Sequence, residues 1–229
     1  MAGSVHVMTA EELAGLSLPV GDDGVVVGID EGGLPAVLSM HHPAPYEIVL
    51  IGGVWTAQVL ALRAAATGVR VAVETGRPQL WTGPAQAAGG GVLECVTLHE
   101  VGHVPPLGAT AGGPVLVVRD CGVRPPRGRT VSVPWQPVLT LLPYLGPAAP
   151  RLVERAALVG VQRVSPDEAA RLAPVMGLPG ELAESLPSLS DDVTLWCTRQ
   201  ARQLVRTVPT DSETGLLGNP SRLDPRTGG

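Results

Sequence analysis

The sequence predicts an α/β fold, a three-layer sandwich around a mostly parallel sheet with flanking β-hairpins. Three observations predict it. The run Ile48-Val49-Leu50-Ile51 is apolar without alternation, as in a strand covered on both faces. An Ala-rich, proline-free segment, 56–67, follows it and stops at Gly68, after which Val69, Val71 and Val73 read as a second strand. Strand, helix and strand in that order form a βαβ unit with a right-handed crossover. Further short apolar runs then alternate with capped helical segments, which points to one layered domain.

Residues 1–24 read as an N-terminal arm, in which Thr9 precedes Glu11, Glu12 and Leu13 at helix-cap spacing. A single domain follows over 25–218. It opens with a hairpin, 25–29 and 36–40, whose turn carries the pair Gly32-Gly33 because such turns need positive φ. Strands are expected at 92–98, 115–119 and 130–133, and a helix at 151–157. The segment Ser165-Pro166-Asp167-Glu168 is a strong helix start: Ser at the cap, Pro in the first helical position, Glu in the third. That helix is expected to run to residue 176. A second hairpin is expected over 192–198 and 202–208, then a short helix over 211–217 and a flexible tail over 219–229.

Hydrophobic residues make up 45% of the 229 and charged residues 16%, the balance of a folded domain and not of a disordered chain. Lys and Phe are absent, so all 16 basic residues are Arg and the core is built from Val and Leu. A net charge of −5 gives no global attraction to nucleic acid or anionic lipid. Arg124, Arg127 and Arg129 share a Pro/Gly-rich loop and read as solvated. Cys95, Cys121 and Cys197 form no CxxC and sit beside apolar residues, so they read as small buried hydrophobes in a reducing, cytoplasmic compartment. No apolar run approaches the roughly 18–20 residues needed to span a bilayer, and no signal peptide is expected.

Three groups of residues resemble sites. The turn Gly52-Gly53-Val54-Trp55-Thr56-Ala57, with Glu74 ending the next strand, approaches a dinucleotide fingerprint, but Val54 stands where the second Gly must let the pyrophosphate approach. A Walker A loop needs a Lys, and the chain has none. His99-Glu100-Val101-Gly102-His103 matches HExxH, in which two His on one helix face hold zinc and the Glu activates water. The β-branched residues before it and Pro105-Pro106 after it favour a strand leaving into a loop. His41 and His42, near Tyr46, point apart on an extended chain. No catalytic, cofactor-binding or metal-binding residue is therefore assigned and no cofactor is expected. Two alternatives stay open: a zinc-dependent hydrolase using His99, Glu100 and His103, and a Rossmann-like nucleotide binder using Gly52, Gly53 and Glu74.

Three further blocks carry a resemblance. They are Gly53 to Ala64 with Ala66-Thr67-Gly68-Val69-Arg70-Val71, Thr75-Gly76-Arg77-Pro78 and Trp81; Val159 to Met176; and Asp192 to Thr210 with Leu216-Leu217-Gly218. In order and content they resemble the EccE family of type VII (ESX) secretion components. The resemblance implies a non-catalytic accessory domain, not an enzyme, that contacts other type VII translocon subunits. It implies a cytoplasmic location, peripheral at the inner face of the plasma membrane. Members of that family begin with transmembrane helices, so the resemblance implies a shortened form without membrane insertion.

Overall fold

The computed structural model describes residues 24–39, 42–89, 95–126 and 130–223. Its parallel core is made of β3 (Glu47–Ile51), β4 (Arg70–Thr75), β5 (Val96–His99), β6 (Val115–Asp120), β7 (Val138–Leu142) and β8 (Leu158–Val161). Two hairpins, β1 (Val25–Asp30) with β2 (Pro35–Leu38) and β9 (Val193–Cys197) with β10 (Arg202–Arg206), join one edge in antiparallel register. The ten strands run β2-β1-β10-β9-β8-β3-β7-β6-β4-β5. Every residue of β6, β7 and β8 is buried, because helices or loops cover both faces. The expected α/β architecture is present.

On one face lie α1 (Val54–Ala66) and α2 (Pro78–Gly89), packed on Ile48, Leu50, Leu116, Val118, Leu139 and Leu141. The other face carries α3 (Ala149–Arg155) and α4 (Pro166–Met176), with α5 (Gly180–Ser185) outside them, over Val49, Ile51, Val159 and Val161. The last helix is α6 (Asp211–Leu217). α4 begins as the sequence predicts. The Ser165 hydroxyl accepts from the Glu168 N–H at 3.3 Å, and the Glu168 carboxylate accepts from the Ser165 N–H at 2.9 Å. Gly177 closes the helix in the left-handed region at φ 59°. Ser165→Ala is expected to cost about 1 kcal/mol of stability, read as a lower urea midpoint with unchanged slope.

Several elements differ from expectation. Residues 130–133 form no strand; Val133 makes only an isolated bridge to Gln136, and the ladder position is taken by β7, which starts after Pro134 and Pro137. The four residues of β8 are too few to announce themselves by pattern. α2 contains Gly83 and Pro84, both unfavourable in a helix interior, and is held by Trp81, which is fully buried. The segment expected to fray, 219–229, is packed as far as Arg222, which is 6% exposed; residues 224–229 lie outside the described residues, as do residues 1–23 of the expected arm. Among the described residues, no helix is long and apolar enough to cross a membrane.

Candidate functional site

The strand order reverses at β3, which lies between β7 and β8 and is parallel to both. In an open parallel sheet the crevice outside the carboxyl ends of the strands at such a reversal is where ligands bind. Gly52 and Gly53 form the whole connection from β3 to α1 here. The Gly52 N–H donates to the Leu142 carbonyl at 3.0 Å, and the Gly53 N–H donates to Gln162 Oε1 at 2.7 Å. Gln162, 1% exposed, also donates to the Thr56 hydroxyl at 2.9 Å and to the Asp191 carbonyl at 3.1 Å. One buried amide thus ties the β3–α1 turn to β8 and to the entry of β9.

The remaining space at this turn is taken by the chain's own C-terminal segment. A Cβ on Gly53 would lie 2.5 Å from the Ser221 carbonyl oxygen and 2.7 Å from that of Arg222. Only glycine admits those oxygens against the start of α1, whose first turn carries no acid. The Arg222 guanidinium donates to the Arg163 carbonyl at 2.7 Å and to the Pro143 carbonyl at 2.9 Å, spanning the ends of β8 and β7. Trp55 Nε1 donates to the Gly218 carbonyl at 3.1 Å and fixes the near end of the segment. A helix N-terminus faced by acceptor oxygens has the electrostatics of an anion seat.

A Walker A cradle does not fit this turn. It has two residues, where that loop needs a longer glycine-rich arc, and no Lys exists to reach a phosphate. Val54, 3% exposed, is packed in the core and opens no path for a pyrophosphate. Any phosphate held here rests on the backbone amides at the start of α1.

Next to this crevice, β4 and β6 end in a buried charge cluster. Glu74 and Arg119 face each other in register, with Arg119 Nε 2.6 Å from Glu74 Oε2. The Glu74 carboxylate also accepts from the Gly102 N–H at 2.8 Å and the Thr130 hydroxyl at 3.0 Å. Burial alone raises its pKa, but the Arg119 hydrogen bond, the Gly102 amide, the Arg119 charge and the Thr130 hydroxyl together hold it below the ordinary carboxylate range. Asp120 accepts from Arg77 Nη2 at 2.6 Å, Trp81 Nε1 at 3.0 Å and the Thr75 hydroxyl at 3.0 Å. Burial, reinforced by Glu74, pushes the neighbouring Cys121 thiol to about 12, so it stays protonated and is a poor nucleophile.

The residues singled out from sequence fall in different places. Gly52 and Gly53 sit at the crevice, whereas Glu74 is wholly buried in its ion pair and is not offered to a ribose. His99 ends β5 and pairs with the Thr97 hydroxyl at 2.9 Å. His103 follows a turn through Gly102 at φ 81°, is exposed, and contacts the Val101 carbonyl at 3.1 Å through Nδ1. The helical face that a zinc hydrolase needs for His99, Glu100 and His103 is not formed, and among the described residues no three His, Cys, Asp or Glu side chains cluster as metal ligands. His42 stacks on Tyr46 with ring centroids 3.6 Å apart, and His41 lies outside the described residues. Arg222, Gln162 and Asp120 were not legible as site residues. The one available signal was the charged pair Arg119-Asp120 ending an otherwise apolar strand.

No protein-family model and no curated protein matches the sequence. Solved structures do match the fold. VirB4 of Thermoanaerobacter pseudethanolicus superposes with a TM-score of 0.57 at 10% identity, over 85% of this chain and 99% of that one. The fold is similar to that of secretion and packaging NTPases. The genome packaging NTPase B204 of Sulfolobus turreted icosahedral virus 2, solved with AMPPCP, gives 0.54 at 10% identity over 73% of this chain and 99% of its own. The cytoplasmic domain of the Thermomonospora curvata type VII secretion ATPase EccC gives 0.54 at 13% identity; this chain covers 33% of it and is itself covered over 92%.

These likenesses correct two expectations. The EccE resemblance is replaced by a fold likeness to VirB4, B204 and EccC, because superposition over most of the chain outweighs short blocks of similar sequence. The accompanying reading of a non-catalytic accessory chain, not an enzyme, does not stand, since two of the matched folds are those of a packaging NTPase and a secretion ATPase. Of the readings left open by sequence, the nucleotide-binding domain agrees better with the fold.

Proposed function

We propose that this chain is an NTPase-like domain of a secretion or packaging machine, in which nucleotide phosphates engage the β3–α1 switch point. The observation that carries the reading is the seat at Gly53, where the Ser221 and Arg222 carbonyl oxygens already stand against the start of α1. The C-terminal segment holds that seat in the ligand-free form, and phosphate oxygens replace the Ser221 and Arg222 carbonyls when nucleotide enters. Absence of a Walker A loop and of Lys means that affinity is modest and rests on the backbone amides at the start of α1. The likeness to the EccC cytoplasmic domain supports type VII translocon subunits as partners.

The reading is tested by calorimetric titration of ATP into the full chain and into a form ending at Gly218, with phosphate release followed in the same samples. Removing residues 219–229 removes an intramolecular competitor, so the shortened form is expected to bind about tenfold more tightly, a difference of about 1.4 kcal/mol. Gly53→Ala in the shortened form is expected to abolish binding, because its Cβ occupies the oxygen position. Equal absence of binding by the full and shortened forms at millimolar ATP would remove this reading.

A further inference from the structure

We infer that a second, separate site binds a small phosphate-bearing organic molecule in the cleft between α3 and the loop after β6. The cavity has a volume of about 620 Å³ and lies on the sheet face opposite α1. It exists because cover on that face is incomplete. α3 and α4 lie over β8 and β3, and Leu107 and Ala109 pack over β4 and β6, leaving the row Val49, Thr140 and Arg119 beneath an opening.

Arginines line two opposing walls. Arg151 and Arg155, four residues apart on α3, lie on one helix face, and Arg124 comes from the loop across the cleft. Among the described residues Glu47 is the one carboxylate in the lining, 3.8 Å from Arg155. At the floor Arg119 is already committed to Glu74 and to the Pro126 carbonyl. Arg124 and Arg151 make no hydrogen bond or ion pair among the described residues, and both are exposed. The Thr140 hydroxyl on the floor also has no hydrogen-bond partner among them, although the residue is 6% exposed. In a chain of net charge −5, this concentrates positive charge in one concave place.

The chemistry selects the ligand class. Guanidinium groups on both walls suit an anion with several oxygens, phosphate foremost, because the planar fork meets two of them at once. Val49, Val138 and Leu152 give an apolar floor for an organic body. The volume lies in the range of small-molecule pockets. A nucleic acid strand needs stacking aromatics, and among the described residues the lining contains none. None of Gly52, Gly53, Gln162 or Arg222 lines the cleft, so the two sites are distinct.

Calorimetric titration of AMP into the full chain tests this, with adenosine and a thymidine oligonucleotide as parallel titrants. Binding at one equivalent is expected, weakened about tenfold or more by R124E and by R151E, and absent with adenosine. Because Arg124 and Arg151 are exposed and make no described contact, both variants should melt with the parent chain. The inference is overturned by no saturable AMP binding at about 5 mM, by R151E binding like the parent, by equal binding of adenosine, or by tighter binding of the oligonucleotide.

Discussion

Asp120→Ala is expected to destabilise the fold by about 3–5 kcal/mol, the range for removing one member of a buried ion pair. The carboxylate is inaccessible and takes hydrogen bonds from three other residues: Arg77, Trp81 and Thr75. Its loss leaves the Trp81 indole N–H and the Thr75 hydroxyl buried without an acceptor, while Arg77, 26% exposed, can turn to water. Trp81 in turn anchors α2, which its Gly83 and Pro84 would not sustain alone. The substitution should therefore expose the α2 backbone to hydrogen exchange before the rest of the sheet. Asp120→Asn keeps one acceptor oxygen and the shape, and should cost less; equal urea midpoints for Asp120→Ala and the parent chain would contradict the assignment.

Glu74→Ala is expected to be of similar size, about 3–5 kcal/mol, because it strands the Arg119 guanidinium, 9% exposed, in the interior. The double substitution Glu74→Met with Arg119→Met should recover most of the loss, since paired buried charges gain little over apolar packing of like volume. The pair also sets an acid limit. With the folded pKa of Glu74 held below its unfolded value, its contribution is complete above the unfolded carboxylate value of roughly 4.3 and is lost as pH falls through the folded one. Glu168 and Glu213, likewise lowered after their hydrogen bonds outweigh burial, act in the same direction. The melting temperature should therefore fall below about pH 4.5, more steeply in the parent chain than in the Glu74→Met/Arg119→Met variant.

Much of the secondary structure was legible because its causes are local. The capping box at Ser165 and Glu168, the Gly pair of the β1–β2 turn and the unbroken apolar run of β3 each act within a few residues. β7 and α2 were missed because proline argued against them, and tertiary partners overrode it. β7 is flanked by β3 and β6, and α2 is fastened through Trp81 to Asp120 on another element. The candidate site was half legible. Gly52 and Gly53 could be picked out, but nothing in the residues around Arg222 announced that the chain's far end returns to them.

By itself the sequence determined the layered α/β class, the absence of any Lys for a phosphate loop, and the helix and turn signals that cut the chain into elements. Tertiary structure alone decided the strand order, the closure of the Gly53 crevice by Ser221 and Arg222, and the meeting of Arg124 with Arg151 and Arg155 across one cavity. The physical reason is range. Helix caps, turn φ angles and hydrophobic periodicity are written in neighbouring residues, whereas strand order and buried ion pairs depend on which segments pack together after the chain has folded.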